Sequence, residues 1–252
     1  MNAILSFDRI KMRRSRYWGL VILFPLLLMV GVTSLLLTNM DDIQDGTEIW
    51  GTMWMICYYM NYVAIHLFVA LLSALLANME HQTNTWKMIF STSVSKWKFY
   101  WAKVLWLTLG LLISGLILMV GFGVIGFAFG GGATFNPVRL FSFTLYPYLT
   151  AYALMGIQLW LSMVLENQSV PIVVGGVGII VGLYGIQGSG LLQVLPWVIP
   201  YQVLFHPDNV LLEFSDIVQT PQLDWNWVLL SIMMGLLFFV LGSVHFSLKE
   251  QK

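Results

Sequence analysis

The chain has 252 residues, of which 58% are apolar and only 10% are charged, with 12 basic and 12 acidic side chains. A soluble domain carries about 25% charged residues, and the mean hydropathy of +0.80 is also too high for one. This composition excludes a water-soluble globule, a disordered chain, a disulfide-rich module and a globally basic nucleic-acid binder. The single cysteine and four scattered histidines argue against a metal site. The sequence therefore predicts an integral membrane protein.

Residues 1–16 predict an amphipathic helix that lies in the membrane interface. Ile4, Phe7 and Ile10 recur at helical spacing, and basic side chains fill most of the remaining positions, namely Arg9, Lys11, Arg13 and Arg14. Such a basic face binds the anionic headgroups of membrane lipids. A simpler interpretation is that these charges only anchor the first span, whereas the sharper one adds contact with a cytoplasmic partner.

Six apolar stretches are long enough to cross a bilayer, which takes about 20 residues per helix. They cover residues 17–38, 51–78, 99–129, 140–165, 170–186 and 227–246. Their continuous apolar character favours helices over the alternating strands of a barrel. We therefore predict an all-α polytopic membrane protein with six transmembrane helices in one domain over residues 1–252.

The charges predict the orientation of these spans. Eleven of the 12 basic residues lie before span one, between spans two and three, or after span six, whereas the alternate loops are acidic. Because cytoplasmic loops carry the excess of lysine and arginine, we expect both termini to be cytoplasmic.

The connection over residues 79–98 predicts a short cytoplasmic helix that docks on a soluble partner. Thr83 or Asn84 can cap it, and an apolar face then follows at positions i, i+3 and i+4. The alternative is an interfacial turn whose aromatic side chains lie among headgroups. The predicted docking residues are Glu80, His81, Asn84, Trp86, Lys87, Ile89 and Phe90.

Residues 78–81, 84–87, 93–96 and 99–103 resemble the permease subunits of ABC-2 type transporters. Among these, the chain is most similar to bacterial lantibiotic-immunity permeases. The resemblance implies an interfacial N-terminal helix, six spans, and a coupling helix between spans two and three that meets an ATPase subunit. It also implies short external helices before the last span.

The chain contains no G-x-x-x-x-G-K-[ST] sequence, so it lacks a phosphate-binding loop and is not itself expected to be an enzyme. The resemblance then implies a separate ATP-binding cassette subunit that binds ATP and magnesium, with no cofactor in this chain. Six spans are few for a peptide pathway, so we also expect a second permease, either a copy of this chain or a relative.

Polar residues inside the predicted spans are candidates for a substrate pathway. They are Asn61, His66 and Gln158, and for His66 and Gln158 burial with hydrogen-bonded partners is the simpler interpretation. They offer no nucleophile–base pair or paired carboxylates for catalysis.

The outer segment, residues 187–226, is apolar and interrupted by Pro196 and Pro200, which predicts a re-entrant turn. Its aromatic side chains are candidate substrate contacts, although an aromatic belt at the membrane surface would look the same. They are Trp197, Tyr201 and Phe205.

The resemblance implies a permease in the bacterial cytoplasmic membrane that moves amphipathic, lantibiotic-type peptides away from the membrane and protects the cell. The alternative is a membrane sensory or assembly subunit that docks a signalling partner and transports nothing.

Overall fold

The computed structural model describes residues 2–38, 46–82, 95–129, 131–185, 188–202 and 224–248. Within these ranges the chain forms nine α-helices and no strand. The helices are α1 (Asn2–Arg14), α2 (Tyr17–Thr38), α3 (Gly46–Gln82), α4 (Lys96–Ala128), α5 (Pro137–Thr144), α6 (Tyr146–Leu149), α7 (Tyr152–Val164), α8 (Ser169–Gly185) and α9 (Trp225–Leu248). Short 3₁₀ turns cover Gly131–Thr134, Gly190–Leu192 and Ile199–Tyr201. The predicted all-α architecture is confirmed.

Four helical stretches are long and apolar enough to cross a membrane. They are Tyr17–Thr38, Val63–Gln82, Lys96–Ala128 and Trp225–Leu248. The other two predicted spans correspond to the shorter apolar helices α7 and α8, so the six-span arrangement stays a prediction. With 37 residues, α3 is about 55 Å long, which exceeds the hydrocarbon thickness of about 30 Å.

The outward faces of these helices are apolar, as expected for contact with lipid. Val30 on α2, Val173 on α8 and Met233 on α9 are each more than 60% exposed. Soluble monomers rarely expose continuous apolar surface of this extent. The structure therefore agrees with the membrane location predicted from composition.

The prediction of one continuous helix over residues 140–165 is wrong, because α5, α6 and α7 divide this stretch. Pro147 lies in the first turn of α6 and has no N–H group to continue a preceding helix. The break before α7 is closed by α9: the Ser231 hydroxyl donates to the Thr150 carbonyl at 2.6 Å and accepts from the Ala153 N–H at 3.0 Å. A side chain distant in sequence thus satisfies the backbone groups that the break leaves open.

Successive long helices run in alternating directions, so the bundle has two ends. α1 lies at the end where α3 finishes and α4 begins, and α9 also finishes there, since the Lys96 ammonium donates to the Ser247 carbonyl at 3.1 Å. We call this the α1 end. α8 finishes at the opposite end, where residues 188–202 follow.

Candidate functional site

A buried cluster of four charged side chains lies at the α1 end, and we call it the ion cluster. It consists of Asp8, Lys11, Glu80 and Lys103. The Lys103 ammonium lies 2.7 Å from Asp8 Oδ1 and 2.8 Å from Glu80 Oε1, and the Lys11 ammonium lies 2.8 Å from Glu80 Oε2. Two cations and two carboxylates therefore alternate along one connected chain of charge-assisted hydrogen bonds.

Burial makes this ion cluster energetically demanding. Asp8, Glu80 and Lys103 have no exposed surface, and burial raises the pKa of the Asp8 carboxyl while the nearby Lys103 ammonium opposes that rise. A buried ion pair gains little over an apolar pair, but removal of one partner costs about 3–5 kcal/mol. The four groups consequently depend on one another to stay charged away from water.

The orientation of α1 places Asp8 in the protein and apolar side chains outside. Asp8 and Met12, four residues apart, form the buried face, whereas Phe7 is 48% and Ile10 58% exposed. A helix on the surface of a soluble protein would show the reverse polarity. This outward apolar face, flanked by exposed Arg9, Arg13 and Arg14, suits the membrane interface.

The ion cluster joins α1 to both helices that flank the predicted docking loop. Glu80 lies two residues before the end of α3, and Lys103 lies in the second turn of α4. The loop that connects them therefore leaves and re-enters the bundle beside the same buried group. A displacement of either helix at this point would be passed to the other and to α1.

A second polar group lies inside the bundle around His66 of α3, which has no exposed surface. His66 Nε2 lies 3.0 Å from the Trp197 carbonyl oxygen, and His66 Nδ1 lies 2.5 Å from the Tyr201 hydroxyl. The two rings lie parallel with their centroids 4.9 Å apart. His66 thus contacts residues 188–202 from the interior of the bundle.

Gln158 of α7 braces α8 beside this group. With the amide oriented so that its nitrogen faces the carbonyl and its oxygen faces the N–H group, Gln158 donates to the Pro171 carbonyl at 3.0 Å and accepts from the Gly175 N–H at 3.1 Å. These two groups are one i,i+4 step of α8, so the amide bridges a single turn of that helix. Asn61 Nδ2 donates to the Phe143 carbonyl at 3.1 Å, which ties α3 to α5.

The family model described as "ABC-2 family transporter protein" matches residues 4–182. This stretch includes α1 to α7, most of α8 and all four residues of the ion cluster. The chain belongs to the ABC-2 transporter family. Comparison with curated proteins and comparison with solved structures each gave no match.

Membership confirms the coarse part of the sequence interpretation of this ABC-2 permease. Such a permease is the non-enzymatic, multi-pass membrane component of an ABC transporter and implies an ATP-binding cassette partner. The match carries no substrate, so the peptide class is argued separately below.

The predicted docking residues fall into two groups in the ABC-2 permease. Asn84, Trp86, Lys87, Ile89 and Phe90 lie outside the described residues, so their role stays a prediction. Glu80 was expected on the docking surface, and the structure corrects this: its carboxylate points inward to Lys103 and Lys11. His81, next to it at the end of α3, is partly buried.

Two of the three candidate outer contacts are described by the structure, and neither side chain is fully exposed. Tyr201 is buried against His66 and Trp197 is partly buried, so neither forms an open aromatic belt; Phe205 lies outside the described residues. Three glycines of α4 and α8 pack against aromatic rings of the same chain: Gly126 lies against Trp50, and Gly178 and Gly182 lie against Trp197 and Tyr201.

Sequence reasoning missed the pairing of Asp8 with Lys103. Two signals pointed to it: Asp8 is the only acid among residues 1–16, and Lys103 begins a long apolar stretch of α4. A charged residue at the edge of a membrane segment calls for a partner. No local spacing, however, shows that the partner lies 95 positions away.

Proposed function

We propose that this ABC-2 permease forms, with a second permease and an ATP-binding cassette subunit, an ATP-driven exporter of amphipathic antibacterial peptides. The family match supports the transporter class. The lantibiotic type of substrate rests on the resemblance of residues 78–103 to lantibiotic-immunity permeases. Removal of such peptides from the bacterial cytoplasmic membrane would protect the cell.

The observation that carries the proposed mechanism is the ion cluster. Binding of the ATPase to residues 83–94 would displace the adjacent ends of α3 and α4, to which Glu80 and Lys103 belong. Because both side chains are ion-paired to α1, the three elements would move together. α1 would then slide along the lipid surface, which its exposed Phe7 and Ile10 side chains contact.

In the proposed topology, α7 and α8 are the fourth and fifth of six transmembrane spans. Both termini and the α1 end would face the cytoplasm, as the basic residues of α1 and of residues 96–103 indicate. The exposed apolar faces of α2, α8 and α9 leave room for lipid and for the second permease.

The decisive experiment measures peptide-stimulated ATP hydrolysis in proteoliposomes that contain the permease and its co-expressed ATPase. We expect a lantibiotic to stimulate hydrolysis in the wild type and Lys103→Met to abolish that stimulation. Lys98→Met is the matched control, because Lys98 is exposed in the preceding turn of α4 and should leave the stimulation unchanged.

A parallel cell assay tests the physiological role. Deletion of the permease and its ATPase should increase sensitivity to the same peptide. If the deletion left sensitivity unchanged and the peptide failed to stimulate hydrolysis, the export proposal would be wrong, and a sensory or assembly subunit would be the better description.

A further inference from the structure

Residues 188–202 return from the end of α8 into the bundle, where the buried side chain of His66 on α3 contacts Trp197 and Tyr201. We propose that His66 is a positioning residue that latches this segment into a groove between α3 and α8. We further propose that the segment leaves the groove as one unit during transport. The second statement rests on the proposed function, whereas the first does not.

The contacts of His66 place a proton on Nε2. A carbonyl oxygen can only accept a hydrogen bond, so the proton of the ring must reside on Nε2, which donates to Trp197. Nδ1 is hydrogen-bonded to the Tyr201 hydroxyl, which can donate or accept. One imidazole thus contacts two residues of the segment that are four positions apart.

Glycines on one face of α8 form the groove that receives the segment. A Cβ atom at Gly178 would collide with the Trp197 ring, one at Gly182 would lie 2.5 Å from the Tyr201 ring, and one at Gly185 would collide with Val198. These glycines recur along one face of α8. The segment follows that face for about 10 Å, since Gly178 lies seven residues before the end of the helix.

The segment is internally bonded, so it can move without unfolding. The Val198 N–H donates to the Leu195 carbonyl at 2.8 Å, and the Gln202 amide donates to the Gln193 carbonyl at 3.2 Å. It begins with a turn at Gly190, whose φ of 65° lies in the left-handed region that glycine adopts without strain.

The two partners of His66 in the latch, a carbonyl and a hydroxyl, are uncharged groups, which distinguishes the latch from the ion cluster. Separating neutral partners in a protein interior loses about one net hydrogen bond each, whereas separating buried ions exposes uncompensated charge. The segment is further held by apolar contacts of Val198 and Tyr201 with Ile179, and α6 packs against the Ile199–Tyr201 turn. Reversible opening is therefore energetically accessible here.

The test measures alkylation of a cysteine placed at Val198, which is fully buried, in a Cys57→Ala background. Permease-containing membranes are treated with N-ethylmaleimide, which reaches both sides of the membrane. We expect His66→Leu and Tyr201→Phe to raise the labelling rate about fivefold to tenfold, because each removes at least one buried hydrogen bond. His66→Gln should stay near the wild-type rate, since its amide also offers one donor and one acceptor.

Two controls separate a latch from general loosening. Tyr146→Phe removes a comparable hydroxyl contact, to the Asp224 carbonyl, and should leave labelling at position 198 unchanged. Met155→Cys, at a fully buried position of α7, should stay unlabelled in every variant. Unchanged labelling at position 198 in His66→Leu and Tyr201→Phe, or equal rises at 198 and 155, would overturn the latch.

The movement itself is tested with the assembled transporter. Addition of ATP and a lantibiotic should raise labelling of the Val198→Cys protein severalfold. If the peptide stimulated ATP hydrolysis but labelling did not change, the release of the segment would be refuted. Absence of stimulated hydrolysis would instead count against the proposed function, and the results with the His66 variants would still decide the latch.

Discussion

The ion cluster and the His66 latch are both buried polar groups that join distant parts of one chain, but they differ in charge. The ion cluster connects α1, α3 and α4 through paired ions, three of which have no contact with solvent. The latch connects α3 to residues 188–202 through an imidazole whose two partners, a hydroxyl and a carbonyl, are uncharged. Separating buried ions costs much free energy, so the ion cluster makes a rigid joint between its helices. Breaking hydrogen bonds to uncharged groups costs less, so the latch makes a joint that can open.

The largest effect is expected at the ion cluster. Lys103→Met should lower the free energy of unfolding in detergent by about 3–5 kcal/mol, because Asp8 and Glu80 would stay buried without their shared cation. Denaturant titration followed by circular dichroism measures this change. The exposed control Lys98→Met should differ from the wild type by less than about 0.5 kcal/mol.

A loss below about 1 kcal/mol for Lys103→Met would contradict a rigid ionic joint. The triple variant Asp8→Asn, Glu80→Gln and Lys103→Met tests whether uncompensated charge causes the loss of stability. It removes three of the four charges and leaves Lys11, which is partly exposed, so it should be more stable than Lys103→Met alone.

An intermediate effect is expected where the latch segment meets α8. Gly178→Ala should cost about 1–3 kcal/mol by overpacking, because the new Cβ collides with the Trp197 ring. Gly176→Ala is the matched control, since no atom lies within 4 Å of its Cβ. Thermal unfolding of the two variants side by side measures the difference, and equal stabilities would argue against a close-packed groove.

The smallest effect is expected from the latch hydroxyl. Tyr201→Phe should lower the free energy of unfolding by only about 1 kcal/mol, the net contribution of one neutral hydrogen bond. Tyr184→Phe provides the control, because Tyr184 is 74% exposed. A loss for Tyr201→Phe as large as that for Lys103→Met would remove the distinction between the two joints.

The sequence prediction succeeded where the signal was local. The predicted first span, residues 17–38, coincides with α2, and the amphipathic helix expected over residues 1–16 is α1. The prediction was wrong for residues 140–165, where the apolar residues on both sides of Pro147 indicated one continuous helix. The break there is completed by Ser231, which no pattern within the stretch could indicate.

In the candidate site, too, local signals were recognised from the sequence and contacts between distant residues were not. His66 and Gln158 were recognised as unusual because polar side chains are rare in apolar helices, yet their partners at Tyr201 and Pro171 required the folded chain. Glu80 was placed on a docking surface from its neighbours in sequence. Its inward position follows from Lys103 and Lys11, which approach it from two other helices.

The apolar composition and the segregation of basic residues indicated by themselves a helical membrane protein whose basic residues gather before the first span, around the connection between spans two and three, and after span six. These properties are local, because each helix must satisfy its own backbone groups in lipid. Which buried charges neutralise one another, and which glycine face receives residues 188–202, was decided by tertiary structure alone. The contact of His66 with Tyr201, for example, joins residues 135 positions apart, and only the packing of the helices brings them within hydrogen-bond distance.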